Sequence, residues 1–591
     1  MRSTQEFILW LEQGAGARGL RAAVLVIAAL SLTLVFSWKQ FHGPPNEWTL
    51  QQVELGRQIA QGQGFTTRVN YPQTYAVMRA RGVPLSETQL YPELYHAPLY
   101  PLVLALGFKL APGKIWEHTP APPNGWAPDY LVLAVNLVLF WFAVWLTWRL
   151  ARRLFDERVA WLAAAGVAVS VTLWQQTVVV SGLPLLMVLL LALFGMLADG
   201  EELWAEDYPV FDRSLAWRAG ALGALSALLF LTEYSAGLAG LVLAGYLAWR
   251  FRGAARWPAL GVFVGVMLLL MAPWLARNVA VAGHPLGLAW QNLALKADDV
   301  TALPSIARNT ASAEAVGLDL KKLGNKGLTG LERNLKERLW SGGGLLFTAF
   351  FVAGLAYQFR HGPTNRVRWC FAVTALVLLA AQPFFSSGES PRLPAYYLAP
   401  LLIVFGAGFF AVLVSSQTAL ALHWRWVVTG LLALQALPLV RDCLEPRKVH
   451  FYYPPYFPNL FMELRRDTAM RFQPGVTIAT DVPAGTAWYG QQRVWAKPER
   501  LRDFYEITVQ QPVGALLLTP VTLDRPFFTE LAARREDAIR TLSDTGGWGA
   551  VYAGLVTRRM PANFPLSGTP QRLTENMVLL VDPGAFRPRG N

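Results

Sequence analysis

The chain has 591 residues, 53% hydrophobic and 15% charged, against roughly 25% charged in soluble domains. That balance excludes an ordinary soluble enzyme, and also a disordered chain, which needs low hydrophobicity and high charge. The net charge of +13 in so apolar a chain points to basic loops or anionic lipid before nucleic acid, and two cysteines, Cys370 and Cys443, exclude a disulfide framework and a four-cysteine zinc site.

A helix needs about 20 apolar residues to cross a bilayer. The first such block is Leu20–Trp38, preceded by Arg18 and Arg21 and followed by no small-residue cleavage pattern, so it reads as an uncleaved span. Ten more blocks follow: Leu131–Trp148, Val159–Leu173, Leu183–Leu197, Ala219–Leu231, Ala236–Trp249, Leu260–Trp274, Leu345–Tyr357, Trp369–Phe384, Tyr396–Val414 and Trp426–Val440. The expectation is a polytopic α-helical membrane protein of about 11 spans over residues 1–440.

A further apolar block, Pro98–Leu110, is assigned to the outer surface. With the N-terminus inside, that choice puts Arg149, Arg152, Arg153, Arg158, Arg250, Arg252, Arg256, Arg360, Arg366 and Arg368 in inner loops, as the positive-inside rule asks. The Gly200–Arg218 loop dissents, with Glu201, Glu202, Glu206, Asp207 and Asp212. Two long outer loops result, residues 39–128 and 277–344, and the tail after residue 440 is also outer.

In the first outer loop, His42-Gly43-Pro44-Pro45-Asn46-Glu47-Trp48 leads into a helix from about Trp48 to Gln61. Asn46 suits its cap, and Gly62 and Gly64 supply the stop. Trp48, Leu55 and Ile59 share a face that is expected to lie on the membrane surface. Two readings of Glu47 stand: a first-turn carboxylate that suits the helix dipole, or a catalytic group. Glu93-Leu94-Tyr95-His96-Ala97-Pro98 comes next, where His96 reads as a ligand, a proton carrier or an interfacial hydrogen-bonding group.

Thr232-Glu233-Tyr234 interrupts an apolar run, making Glu233 a hairpin tip or a cavity residue. Pro273-Trp274-Leu275-Ala276-Arg277-Asn278 ends a span, and Arg277 there either snorkels or binds an anion. Glu389-Ser390-Pro391-Arg392 precedes another span, as a local ion pair or a binding pair. All these clusters map to one side of the membrane, and their residue types, carboxylates and arginines, suit proton abstraction and phosphate binding there. The tail, residues 441–591, changes character: strands at Gly475–Asp481 and Gly514–Thr519 alternate with helices at Pro498–Thr508 and Pro526–Leu542, which predicts a small α/β domain with a partly parallel sheet. An aromatic, proline-rich linker, Tyr452–Pro458, leads into it.

The order of these features resembles the multispanning GT-C glycosyltransferases that use polyprenyl-phosphate sugars, in their dolichyl-phosphate-mannose mannosyltransferase-like and aminoarabinose-transferase-like branch. The matching elements are Asn46-Glu47, Gly62-Gln63-Gly64-Phe65, His96-Ala97-Pro98-Leu99, Pro273-Trp274 with Arg277-Asn278, and, more loosely, Glu389, Arg392 and Pro400. The resemblance covers about residues 20–415. It implies inverting sugar transfer from a polyprenyl-phosphate carrier to a lipid, glycan or protein acceptor, in a bacterial inner or plasma membrane, with the site and the tail extracytoplasmic.

Carried over, Glu47 is the acceptor's base, with Glu54 in reserve and Glu93 or His96 assisting. His96, Arg277, Asn278, Glu389, Arg392 and Glu233 are substrate-binding. The family's usual aspartate is here asparagine or displaced by one residue. The class allows a divalent metal, but no ligand constellation in the sequence demands one. The competing readings are a lipid-linked glycan transporter or flippase, disfavoured by span interiors of mostly Leu, Ala and Val, and a polysaccharide polymerase or ligase using a diphosphate-linked donor.

Overall fold

Backbone polar groups have no water to bond inside a bilayer, so apolar stretches fold as helices. The structure, a computed structural model, describes residues 15–83, 90–116, 125–204, 211–293, 308–313, 318–385, 394–446, 458–523, 547–574 and 577–586. Among these, eight helices are long and apolar enough to cross a membrane, from Ala22–Gln40 to Trp424–Leu444. A ninth is the bent pair Glu157–Ala168 and Val171–Val178, kinked by 51°. The protein is thus an integral, multi-pass membrane protein.

The other two expected blocks are shorter helices, Leu238–Arg250 and Leu345–Gly354. Thirteen residues at about 1.5 Å each reach only about 20 Å. The 3₁₀ turn Tyr234–Gly237 extends the first of them. Tyr234 hydroxyl accepts from Trp274 Nε1 at one end of the bundle, and Arg250 meets Glu201 at the other.

That second end carries the arginines. Arg149 and Arg153 reach Asp199 at 3.4 and 3.2 Å, and Arg153 reaches Glu202 at 2.9 Å. Glu201, fully buried, accepts from Tyr246 hydroxyl at 2.6 Å and pairs with Arg250 and Arg366. Of the acidic residues that dissented from the loop charges, Glu201 and Glu202 are therefore partners of those arginines, and Asp212 caps the Arg213–Thr232 helix. Pro98–Leu110 forms a 12-residue helix, Leu99–Leu110, with Leu102, Leu106 and Leu110 exposed on one side and Tyr100, Leu104 and Phe108 buried on the other.

At the opposite end lies a six-stranded mixed sheet, in spatial order Val69–Asn70, Val494–Ala496, Thr477–Thr480, Val513–Leu518, Met577–Val581, Gln571–Thr574. The first four strands are parallel, and the last two join antiparallel. The expected strands at 475–481 and 514–519 are its centre, and the expected helix at 498–508 is Leu501–Gln510. The helix expected at Pro526–Leu542 and most of the Tyr452–Pro458 linker lie outside the described residues. One edge strand comes from the first outer loop, and Tyr75 and Tyr91 of that loop share a core with Trp495, Phe504 and Leu516 of the tail. First loop and tail fold together.

Small residues let membrane helices approach closely. Arg213–Thr232 packs on Arg256–Ala282 at Gly223, where an added Cβ would sit 2.3 Å from Phe263 O. Gly223→Val is expected to lower stability by about 1–3 kcal/mol, read as a fall in thermal midpoint in detergent, while Gly220→Ala, which has only ordinary contacts to make, leaves the midpoint near that of the parent.

Candidate active site

The site is built on one helix. Glu47–Ala60 starts at Asn46, whose side chain accepts from Thr49 N at 2.9 Å. It ends at Gly62 and Gly64, both at positive φ (+78° and +69°), a backbone conformation open to glycine at little cost. The helix does not lie on the membrane surface as its Trp48, Leu55, Ile59 face suggested. Residues from Trp48 to Gln58 are all buried, between the Leu99–Leu110 helix and the tail's Pro483–Gly490 helix. The covering layer lies more than 400 residues downstream, beyond the reach of local periodicity.

The contacts to Pro483–Gly490 are charged and complement its dipole. Both oxygens of the half-buried Glu47 accept from Ala484 N, at 3.1 and 3.0 Å, in that helix's first turn. Arg57 donates to the Ala487 and Trp488 carbonyls, each at 2.8 Å, in its last turn, and stacks 4.7 Å from the Trp488 ring. Anions favour a helix N-terminus and cations a C-terminus. Asp129, in the first turn of the Ala127–Leu154 span, accepts from Trp488 Nε1 at 2.8 Å and Tyr489 hydroxyl at 3.1 Å.

Glu54 is fully buried, pairs with Arg57 and accepts from Gln58 Nε2 at 2.6 Å. Burial pushes its carboxyl up despite Arg57 and Arg68 beside it, and pulls the Arg57 guanidinium down to about 10. The structure gives Glu54 the work of holding Arg57 against the tail.

On the other face of the same helix is a second network. Glu93, 2% exposed, accepts from Tyr95 N at 2.8 Å and His96 N at 3.2 Å, and pairs with Arg308 at 3.2 Å. Arg308 is sandwiched between Tyr71 and Tyr95, 3.8 and 4.2 Å from their ring centres, and donates to Gln51 Oε1 at 2.6 Å. Gln51 Oε1 also faces His96 Nε2 at 2.8 Å, while Gln52 Nε2 faces His96 Nδ1 at 3.3 Å. An amide oxygen only accepts and an amide nitrogen only donates, so with these side-chain amide orientations His96 donates from Nε2 to Gln51 and accepts at Nδ1 from Gln52.

Arg277 donates to Glu93 O at 2.8 Å and Phe65 O at 3.1 Å and lies 5.0 Å from the Trp274 ring centre. Its neighbour Asn278 donates to Pro285 O at 3.0 Å. No carboxylate of the described residues lies within salt-bridge distance of Arg277, whereas the buried Arg57 and Arg308 each have one. A narrow pocket beside this network is lined by Trp48, Tyr95, Glu233, Tyr234, Asn292 and Phe385, among others.

The structure thus brings Glu93, His96, Arg277 and Asn278 into one hydrogen-bonded group, with Glu233 alongside and Glu47 on the helix that carries Gln51 and Gln52. Glu389 and Arg392 lie outside the described residues. Sequence reasoning missed Arg308, whose surroundings in the chain carry no motif. It also missed Asp129, though an acid entering an apolar span is a signal in itself. Among the described residues no three His, Cys, Asp or Glu side chains gather around one point, so the donor set present does not by itself make a metal centre.

No protein-family model matches the sequence, and no curated protein sequence does. The fold does have counterparts. The Archaeoglobus fulgidus oligosaccharyltransferase, in its complex with zinc and sulfate, is similar with a TM-score of 0.53 and 14% identity, over 86% of this chain and 69% of that one. ArnT from Cupriavidus metallidurans, bound to undecaprenyl phosphate, is similar with a TM-score of 0.51 and 14% identity, over 96% of this chain and 99% of that one. The chain has the fold of the GT-C membrane glycosyltransferases.

Removing one member of a buried ion pair strands the other, at a cost of about 3–5 kcal/mol. Arg308→Met is therefore expected to destabilise strongly, and Glu93→Gln in the same chain to restore much of the loss. Thermal unfolding of the two singles and the double in detergent checks this, and additive losses would contradict the pairing.

Proposed function

We propose that the protein is an inverting glycosyltransferase that moves a sugar from a polyprenyl-phosphate carrier to a lipid, glycan or protein acceptor at the outer membrane face. The observation that carries the reading is Arg277, a guanidinium held by two backbone carbonyls and Asn278 Oδ1 with no carboxylate of the described residues in salt-bridge distance, in a fold shared with a protein solved on undecaprenyl phosphate. A guanidinium fork matches phosphate oxygens. The basic end of the bundle, facing away from the sheet, supports the outward orientation of the site.

In the proposed reaction an acceptor hydroxyl or amine loses its proton to Glu47. The freed electron pair attacks the anomeric carbon on the face opposite the carrier. The bond from that carbon to the phosphate oxygen breaks, and the lipid phosphate leaves with the electrons, its charge met by Arg277 and Arg392. Glu93 and His96 hold the loop from which Arg277 takes one of its carbonyls, so they position rather than react. Glu233 and Asn278 are assigned to the substrate pocket and its wall. The tail covers the reacting helix and supplies an acceptor-side surface.

Glu47→Gln is expected to reduce transfer by about 10²–10⁴-fold, the usual worth of a general base, with binding of radiolabelled polyprenyl-monophosphate sugar retained. Arg277→Gln is expected to raise the donor KM instead. Unchanged turnover in Glu47→Gln would remove that residue from the chemistry. Transfer only from a diphosphate-linked oligosaccharide would make the protein a polymerase or ligase.

A further inference from the structure

At the arginine end, far from Arg277, four helices line a groove of about 1090 Å³, Arg256–Ala282 contributing Val262 and Val266. The Leu183–Leu203 helix is its floor, Ala127–Leu154 is one wall, and Arg213–Thr232 with Arg256–Ala282 is the other. The floor is low because its residues are small. A Cβ added at Gly195 would meet nothing within 4 Å, and Ala192 lies one turn away. From Leu191 to Asp199 the floor runs about 12 Å, apolar until its mouth.

The mouth has different chemistry. Arg149 and Arg153 share Asp199, and Arg153 also takes Glu202. Arg152 is exposed, with its guanidinium 5.1 Å from the Trp148 ring centre and no carboxylate of the described residues in salt-bridge distance. Trp217, 67% exposed, stands on the other lip. A cation beside indoles at the end of an apolar trough matches a phosphate headgroup above an acyl chain, because indoles favour headgroup depth and basic pockets between spans attract anionic lipid.

We propose that this groove holds one diacyl glycerophospholipid of net negative charge, its phosphate at Arg152 and one acyl chain over Gly195. A zwitterionic lipid has the same phosphate and chains, but its ammonium adds a cation beside three guanidiniums, so charge complementarity favours the anionic headgroup. The proposal does not depend on the sugar-transfer reading.

The test is native mass spectrometry of the full-length protein in neutral detergent, titrated with phosphatidylglycerol or phosphatidylcholine of identical chains. Phosphatidylglycerol is expected to bind more tightly. Arg152→Gln is expected to weaken it about fivefold, since each cation near an anionic lipid is worth about 1 kcal/mol, and to leave phosphatidylcholine little changed. Gly195→Leu, which fills the floor and spares the arginines, is expected to weaken both lipids; Ala192→Leu serves if that variant does not fold. Equal binding of the two lipids by the parent would overturn the proposal. So would an Arg152→Gln variant that keeps the preference, or stoichiometric displacement of phosphatidylglycerol by undecaprenyl phosphate.

Discussion

The architecture hangs on a charge that has no water. Arg57 and Glu54 sit one turn apart on a helix that is dry on nearly every side, and burial has shifted both groups toward their neutral forms. A desolvated pair repays its cost only when its remaining donors and acceptors are also satisfied. Glu54 has Gln58 for this. Arg57 has the Ala487 and Trp488 carbonyls, which belong to the tail. The pair is therefore complete only when the tail is docked. The same docking brings Ala484 N to Glu47 and Trp488 to Asp129, so three charged groups of the membrane half grip one eight-residue helix along its length.

That constraint explains which parts of the fold were legible. The spans were readable because about 20 apolar residues in a row have few alternatives. The first-loop helix was readable too, since Asn46 and the Gly62–Gly64 pair are local signals that act within a turn of themselves. The strands Thr477–Thr480 and Val513–Leu518 showed as apolar runs. By contrast Val69–Asn70 and Val494–Ala496 are two and three residues long, too short to carry a period of two. They are strands only because a sheet edge lies beside them. What covers the Glu47–Ala60 helix was invisible for the same reason: the pattern of a buried helix and that of a surface-lying one differ in their far neighbours.

The candidate site was legible as residue types and less so as roles. Glu93, His96, Arg277 and Asn278 do meet, but hydrogen bonds divide the work among them in a way spacing could not show. His96 has both ring nitrogens engaged by glutamines of the neighbouring helix, and Glu93 is spent on Arg308 and two backbone donors. Glu54 stood in reserve for Glu47 from its place two turns along the helix. Seven residues is nearly two full turns, so the two carboxylates share a side, yet one meets a helix N-terminus and the other a guanidinium.

Charge sorting along the bundle follows from the same accounting of partners. The chain carries a large basic excess, yet three of its buried arginines are individually matched, Arg57 by Glu54, Arg308 by Glu93 and Arg250 by Glu201, while the buried Arg368 donates to the Gly354 and Tyr357 carbonyls. An arginine matched in this way is part of the frame, because moving it would strand its partner in a dry interior. Among the described residues Arg277 donates to three neutral oxygens, the Glu93 and Phe65 carbonyls and Asn278 Oδ1, and such dipoles fix a guanidinium without cancelling its charge. In the proposed reaction its field is met by the carrier's phosphate. Donors fixed in advance meet an anion without rearranging, which is the condition under which the proposed reaction gains most from Arg277 as the phosphate departs.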